Sequence, residues 1–129
     1  RVVALGLKER VHFPGYVADE ALPMWYASAS VFVFPSVYEG FGMPVVEAMA
    51  CGTPVVASQA SSIPEAGGEA ALYFRPDDVA ELAAQLTAVL SQPALATSMR
   101  EKGVVQCRHF SWEKAGRQTA ETYQKAIRT

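Results

Sequence analysis

The sequence has little positive charge, few cysteines and no long apolar run. Its 11 Lys and Arg residues against 13 Asp and Glu give a formal net charge of -2 at pH 7. That balance argues against a nucleic-acid-binding domain or a polybasic membrane-surface module. No apolar run approaches the roughly 20 residues of a membrane-spanning helix, and no secretory signal precedes the first strand-like segment. From the two cysteines, described next, we expect a cytoplasmic protein, and we leave open peripheral attachment at the inner face of a membrane.

The two cysteines, Cys51 and Cys107, lack C-x-x-C spacing, so we expect reduced thiols. Cys51 stands near a predicted helix end, where the helix dipole does not favour a thiolate, and we expect it to be an inert buried thiol. The two histidines, His12 and His109, are expected to be structural. The sequence therefore predicts no metal site.

The chain has 129 residues, of which 50% are hydrophobic and 19% charged, and this composition is typical of one packed globular domain. It opens at Arg1 without a methionine. From that start we expect a piece of a longer protein.

Short β-type runs alternate with helical patterns along the first half of the chain. Strands are expected at Arg10–Phe13, Val31–Pro35, Pro54–Ser58 and Ala71–Phe74, and helices at Ala21–Ala29 and from about Pro44 to Ala50. Because Val31–Pro35 is continuously apolar, it is expected to be buried on both faces of a parallel sheet. This alternation predicts an α/β fold with a Rossmann-like parallel sheet flanked by helices.

The second half, about residues 78–127, is predicted to be helical. The first helix has apolar residues at helical spacing and either Asp77 or Asp78 as its cap. A second helix is expected from Pro93 to about Arg108, and a third after Ser111. On the third helix one face carries Trp112, Ala115, Thr119 and Tyr123. We interpret all three as scaffold, with their aromatic residues packed in the core or against another domain.

The candidate site is the glycine-rich turn between the second predicted strand and the helix that follows. In an open α/β sheet, ligands bind in the crevice at strand ends, and free amides at a helix N-terminus suit phosphate. Glu39 stands at the start of the turn, and Glu47 is expected in the first turn or so of the helix. Each glutamate alone is typical of an ordinary solvated side chain, so only their combination suggests a site.

Residues Phe34 to Ser58 resemble the signature of the group 1 (family 4) retaining glycosyltransferases, including a Glu-x7-Glu motif from Glu39 to Glu47. Four more segments of the chain resemble further landmarks of that family, namely Val11–Val17, Leu22–Tyr26, Ser62–Glu65 and Phe110–Glu113. The resemblance implies the GT-B architecture. It also implies that residues 1–129 form a single, truncated nucleotide-sugar-binding domain, the incomplete C-terminal half of such an enzyme.

The resemblance also implies roles for individual residues. Glu39 would be the catalytic residue and hydrogen-bond the hydroxyls of the donor hexose. Glu47 would accept hydrogen bonds from the ribose of the nucleotide. The remaining donor-binding residues would be Tyr16 and Val17 along the base, Gly40, Phe41, Gly42 and Met43 at the sugar or diphosphate, and Val46 beside Glu47. The family implies no metal or other cofactor, only a nucleotide diphosphate sugar as donor substrate.

The predicted donor crevice lacks cations. No Lys or Arg lies between Arg10 and Arg75, whereas that interval holds six carboxylates, namely Asp19, Glu20, Glu39, Glu47, Glu65 and Glu69. A departing diphosphate needs positive charge besides helix amides, and family members supply an Arg and a Lys from an earlier segment. We therefore expect the parent protein to be an enzyme and residues 1–129 alone to be inactive. An unpaired sheet edge and an exposed apolar helix face are also expected, and both favour self-association.

The sequence favours the donor-binding part of a hexosyltransferase acting on a glycan or lipid-linked acceptor that the missing N-terminal domain would bind. The donor base and sugar stay open, with GDP-mannose slightly preferred over UDP-sugars. An NAD-dependent oxidoreductase would need a third glycine where Val45 stands. A non-catalytic nucleotide-binding or assembly module is the main alternative, because the cations are missing.

Overall fold

The computed structural model describes residues 1–127, which form nine regular helices and strands and two short 3-10 turns. In chain order these are α1 (Leu22–Ser28), β1 (Phe32–Phe34), α2 (Met43–Ala50), β2 (Val55–Ser58), α3 (Ile63–Gly67), β3 (Leu72–Phe74), α4 (Val79–Ser91), α5 (Pro93–Cys107) and α6 (Trp112–Ile127), with the 3-10 turns at Lys8–Arg10 and Gly68–Ala70.

The three strands form a parallel sheet in the order β1-β2-β3. Val33 of β1 lies opposite Val56, and Ala57 of β2 lies opposite Tyr73 of β3. All four residues of the central strand β2 are buried. The predicted α/β fold, a parallel sheet flanked by helices, is therefore confirmed.

The expectation that the second strand is buried on both faces is wrong. All three residues of β1 are half-buried, because β1 is an edge strand of the described sheet and no described strand shields its second edge. The free edge of β1 agrees with the expectation of an unpaired sheet edge. Self-association through it stays a prediction.

The expected strand at Arg10–Phe13 is also wrong. Lys8–Arg10 forms a 3-10 turn, and the residues that follow are irregular and exposed, with Phe13 76% exposed. A strand needs a neighbour to pair its backbone N–H and C=O groups, and no described strand lies beside this segment. The apolar pattern of Val11 and Phe13 therefore has no sheet to join.

Helix α2 buries one face in the core. Val45, Ala48 and Met49 are almost completely shielded from solvent, and they join a core with β2 and α3. Helix α5 crosses α2 at Gly103, where an added β-carbon would lie 3.2 Å from Cγ of Met49. Close packing on several sides thus fixes the position of α2.

A second core lies between the sheet and the C-terminal helices. Val56 and Phe74 from the sheet pack there with Val89 of α4 and with Ala96 and Met99 of α5. Asp78 caps α4, since the amide of Glu81 donates to its Oδ1 at 2.9 Å. Of the two cap candidates, Asp78 is therefore the one used.

The aromatic residues of the last helix do not pack in the core of the described chain, and their packing against another domain, the other half of that expectation, stays a prediction. No residue of α6 is buried, and Trp112 and Tyr123 are 81% and 66% exposed. Cys51 also differs from expectation, because it is half-buried. Burial, with the Glu47 carboxylate next in effect, raises the pKa of its thiol, which favours the unreactive form.

We expect Gly103→Leu to destabilise the chain by about 2 kcal/mol, because the new side chain must displace the buried Met49 at the α2–α5 crossing. Gly116→Leu is the matched control, since nothing lies within 4 Å of a β-carbon there. The control should gain about 0.5 kcal/mol from helix propensity. Denaturant unfolding of the two variants measures the difference, and equal stabilities would contradict this account of the crossing.

Candidate functional site

The candidate site lies where the loops after β1 and β2 meet at the carboxyl edge of the sheet. Residues 35–42 connect β1 to α2, and residues 59–62 connect β2 to α3. Because parallel strands end at the same sheet edge, these two loops are neighbours. Each predicted glutamate belongs to the first loop or to the helix that it leads into.

Gly42 sets the geometry of the turn. It is the N-cap of α2 with φ +97°, a backbone conformation that other residues rarely adopt. An added β-carbon would lie 3.7 Å from the side chains of Ile63 and Ala66, so the turn also passes close to α3. Pro44 follows in the first turn of α2, where its missing N–H costs nothing.

Serine hydroxyls from both loops hold Glu39. Ser36 Oγ donates to Glu39 Oε1 at 2.8 Å, and the hydroxyls of Ser61 and Ser62 donate to the Glu39 carbonyl oxygen at 2.8 and 2.9 Å. The buried Ser58 hydroxyl donates in turn to the carbonyl oxygen of Ser36. Neutral donors thus position the Glu39 backbone and one of its carboxylate oxygens.

Glu47 is the fifth residue of α2, just past the first turn and close to where it was expected. It is half-buried, and the Tyr26 hydroxyl donates to its Oε2 at 3.1 Å. Burial, followed by the hydrogen bond to Glu47, raises the pKa of Tyr26 to about 12. The phenol therefore keeps its proton and donates to the carboxylate throughout the physiological pH range.

The other predicted donor-binding residues differ in exposure. Tyr16 is 88% exposed and Val17 half-buried, both in the irregular segment before α1. The ring of Phe41 packs edge-on against Phe110, with centroids 5.1 Å apart. Met43 is 38% exposed. Two more residues belong to the same turn and helix: Gly40 is exposed, and Val46 packs partly against the core.

The segments that carry these residues contain no Lys or Arg, since none occurs between Arg10 and Arg75. Arg75, the first cation after the long interval without Lys or Arg, forms ion pairs with Asp78 and with Glu81. These carboxylates raise the pKa of Arg75, and the backbone amide of Glu81 holds the pKa of Asp78 below its usual range. Arg75 is thus already paired with two carboxylates.

Two surface cavities have none of the predicted donor-binding residues in their linings. One, of about 330 Å³, is lined by residues of α5 and the Gly68–Ala70 turn. The other, of about 420 Å³, is lined by Met24, Trp25, Ser28 and Ala29. Within residues 1–127 no three His, Cys, Asp or Glu side chains group as metal ligands. No described helix is long and apolar enough to cross a membrane.

Sequence reasoning missed the serines and Tyr26. A signal existed for Ser61 and Ser62, because the loops after neighbouring parallel strands meet at one edge. Ser58 ends β2 and is buried. No spacing signal links Tyr26 to Glu47, 21 residues away.

The family described as "Glycosyl transferases group 1" matches residues 1–92. The chain therefore belongs to the group 1 glycosyltransferases, in agreement with the resemblance found in the sequence.

Curated relatives share sequence with almost the whole chain. An O-antigen chain mannosyltransferase B of Escherichia coli is 42% identical over 124 residues, which cover 95% of this chain and 32% of the relative. An MMP alpha-(1->4)-mannosyltransferase of Mycolicibacterium hassiacum is 42% identical, over 98% of this chain and 32% of the relative. The chain thus spans about a third of the length of these relatives.

Solved structures share the fold. The sucrose-phosphate synthase of Thermosynechococcus elongatus superposes with a TM-score of 0.88 at 35% identity, over 98% of this chain and 32% of that chain. Anabaena HepE, in complex with UDP and glucose, superposes with a TM-score of 0.86 at 29% identity, over 96% of this chain and 34% of that chain. The predicted fold class, that of the GT-B glycosyltransferases, is confirmed.

We expect Gly42→Ala to destabilise the chain by about 1–2 kcal/mol, because alanine is strained at a positive φ. The matched control, Gly40→Ala in the same turn, has open space and no positive φ and should change stability by less than about 0.5 kcal/mol. Thermal unfolding measures both. Equal losses would show that the turn does not depend on the conformation of Gly42.

Proposed function

We propose that this chain is the donor-binding part of a retaining glycosyltransferase. The enzyme would transfer a hexose from a nucleotide diphosphate sugar to a glycan or lipid-linked acceptor. The observation that carries the proposal is the placement of Glu39 and Glu47 on either side of the glycine turn, at the sheet edge where α/β folds bind ligands.

In this proposal the two carboxylates bind different hydroxyls. An ionised carboxylate only accepts hydrogen bonds, so it suits vicinal hydroxyls and repels phosphate. Glu39 would bind the donor hexose and Glu47 the ribose, with Val46 beside it. The amides of Phe41, Gly42 and Met43, next to Gly40, would approach the sugar or the diphosphate. Tyr16 and Val17 would lie along the base.

The comparisons support the donor class. HepE structures are described as complexes with UDP and with UDP-glucose, which supports a nucleoside diphosphate as the leaving group. Two curated relatives are named mannosyltransferases, which favours mannose as the sugar. We therefore propose GDP-mannose as the first donor to test and UDP-sugars as the second.

The reaction would be a front-face substitution without metal, in which the departing diphosphate helps to deprotonate the acceptor. Its negative charge needs Lys or Arg, and residues 11–74 contain neither. We propose that other parts of a cytoplasmic parent protein supply these cations and the acceptor site. Residues 1–129 alone would then transfer no sugar.

We expect GDP-mannose or a UDP-sugar, but not NAD, to raise the melting temperature of the natural polypeptide that contains these residues. A ligand that binds only the folded state stabilises it by about 2.7 kcal/mol at a hundred times its Kd. A thermal-shift panel measures this. Stabilisation by NAD alone would indicate an oxidoreductase, and no stabilisation by any nucleotide would favour a non-catalytic assembly module.

We expect Glu39→Ala in that polypeptide to lower kcat by about a hundredfold or more, the size of effect seen when a group that stabilises the transition state is lost. Glu47→Ala should mainly raise the donor KM, because the ribose hydroxyls are bound equally before and during the reaction. Steady-state kinetics separate the two effects.

Glu69→Ala is the control for these kinetics, since Glu69 is an exposed residue of the Gly68–Ala70 turn in the same acidic interval. It should leave kcat and the donor KM within about twofold. Unchanged kinetics in both the Glu39 and the Glu47 variants would refute the site assignment.

A further inference from the structure

The hydrogen bond from Tyr26 to Glu47 is the feature of the described residues that the proposed donor site leaves unexplained. It joins α1 to α2 across 21 residues, with the phenol oxygen 3.1 Å from Glu47 Oε2. Both side chains are half-buried. The bond therefore restricts the orientation of the Glu47 carboxylate, which water alone would leave free to rotate.

The backbone and the ring of Tyr26 each make a contact that fixes their position. Its backbone carbonyl oxygen accepts a hydrogen bond of 2.6 Å from the hydroxyl of Thr53, a residue that is only 2% exposed. Its ring packs edge-on against Phe32 of β1, with centroids 5.2 Å apart and planes at 87°. Because these contacts anchor the tyrosine to the sheet and to the end of α2, its hydroxyl is a fixed donor.

The bond leaves Glu47 able to bind a ligand. A carboxylate has about four lone-pair sites on its two oxygens, and the phenol occupies one of them on Oε2. Because the Tyr26 phenol is a neutral hydrogen-bond donor, it does not cancel the negative charge of the carboxylate. A lysine or arginine in the same place would form an ion pair and compete with ligand hydroxyls for both oxygens.

We infer that Tyr26 is a positioning residue that holds the Glu47 carboxylate in the orientation needed to accept hydrogen bonds from the donor ribose. This inference rests on the proposed function, because it requires that Glu47 bind the donor. Tyr26 itself makes no contact with the ligand in this account and acts only through Glu47.

The test is a double-mutant cycle in the natural polypeptide, with Tyr26→Phe, Glu47→Ala and the double variant. Phenylalanine keeps the ring against Phe32 and the backbone bond to Thr53 and removes only the hydroxyl. We expect Tyr26→Phe to raise the donor KM roughly tenfold, as for loss of a hydrogen bond to a charged group, with kcat changed less than about twofold. In the Glu47→Ala background the same substitution should change KM less than about twofold.

Tyr73→Phe is the matched control. The Tyr73 hydroxyl also donates a hydrogen bond, to the Gly68 carbonyl oxygen at 2.8 Å, and burial raises the pKa of Tyr73 to about 12 as well. Kinetics measured well below both melting temperatures should show an unchanged donor KM for Tyr73→Phe. A purely structural role for Tyr26 would make the two variants alike and would overturn the inference.

The outcomes separate this inference from the proposed function. If Glu47→Ala raises the donor KM and Tyr26→Phe does not, the positioning role is wrong and the donor site stands. If Tyr26→Phe raises KM equally in both backgrounds, Tyr26 does not act through Glu47 and the inference is again wrong. If Glu47→Ala leaves donor binding unchanged, the ribose role of Glu47 and this inference both fail.

Discussion

Burial of helix α2 is the constraint on which the candidate site depends. Val45, Ala48 and Met49 are almost wholly buried against the sheet, α3 and α5, so the helix has one position available to it. That position places its N-cap, Gly42, beside α3 and leaves Glu47 on the half-buried side that faces α1. The distance and direction between the two glutamates therefore follow from core packing, since the connecting turn alone could adopt many shapes.

The local chemistry of this site uses neutral donors. Three serine hydroxyls bind Glu39, two at its carbonyl oxygen and one at its carboxylate, and a phenol binds Glu47. Hydroxyl donors orient an acidic group without cancelling its charge. A site built in this way attracts hydroxyl groups and repels phosphate, so the diphosphate of any sugar nucleotide must be met by helix amides and by cations from outside residues 11–74.

Local signals predicted the elements whose structure depends on local chemistry. The apolar run at Val55–Ser58, the proline-started α2 and the capped α4 were all expected close to their observed bounds, because burial periodicity, Pro and Asp act within a few residues. Elements that need a distant partner were predicted less well. The apolar pattern at Val11 and Phe13 has no described strand to pair with, and β1 lies at an edge.

In the candidate site, too, local features could be predicted from the sequence and contacts between distant residues could not. Glu39 and Glu47 could be found from the sequence because they lie eight positions apart on either side of a glycine turn. The contacts that orient them join residues 21 to 23 positions apart, and these contacts depend on sheet register and on the α1–α2 packing. A one-residue shift of β2 would move Ser58 to the opposite face of the sheet and break its bond to the Glu39 loop. The orientation of both carboxylates is thus a property of the assembled sheet and helices, whereas their presence is a property of the motif.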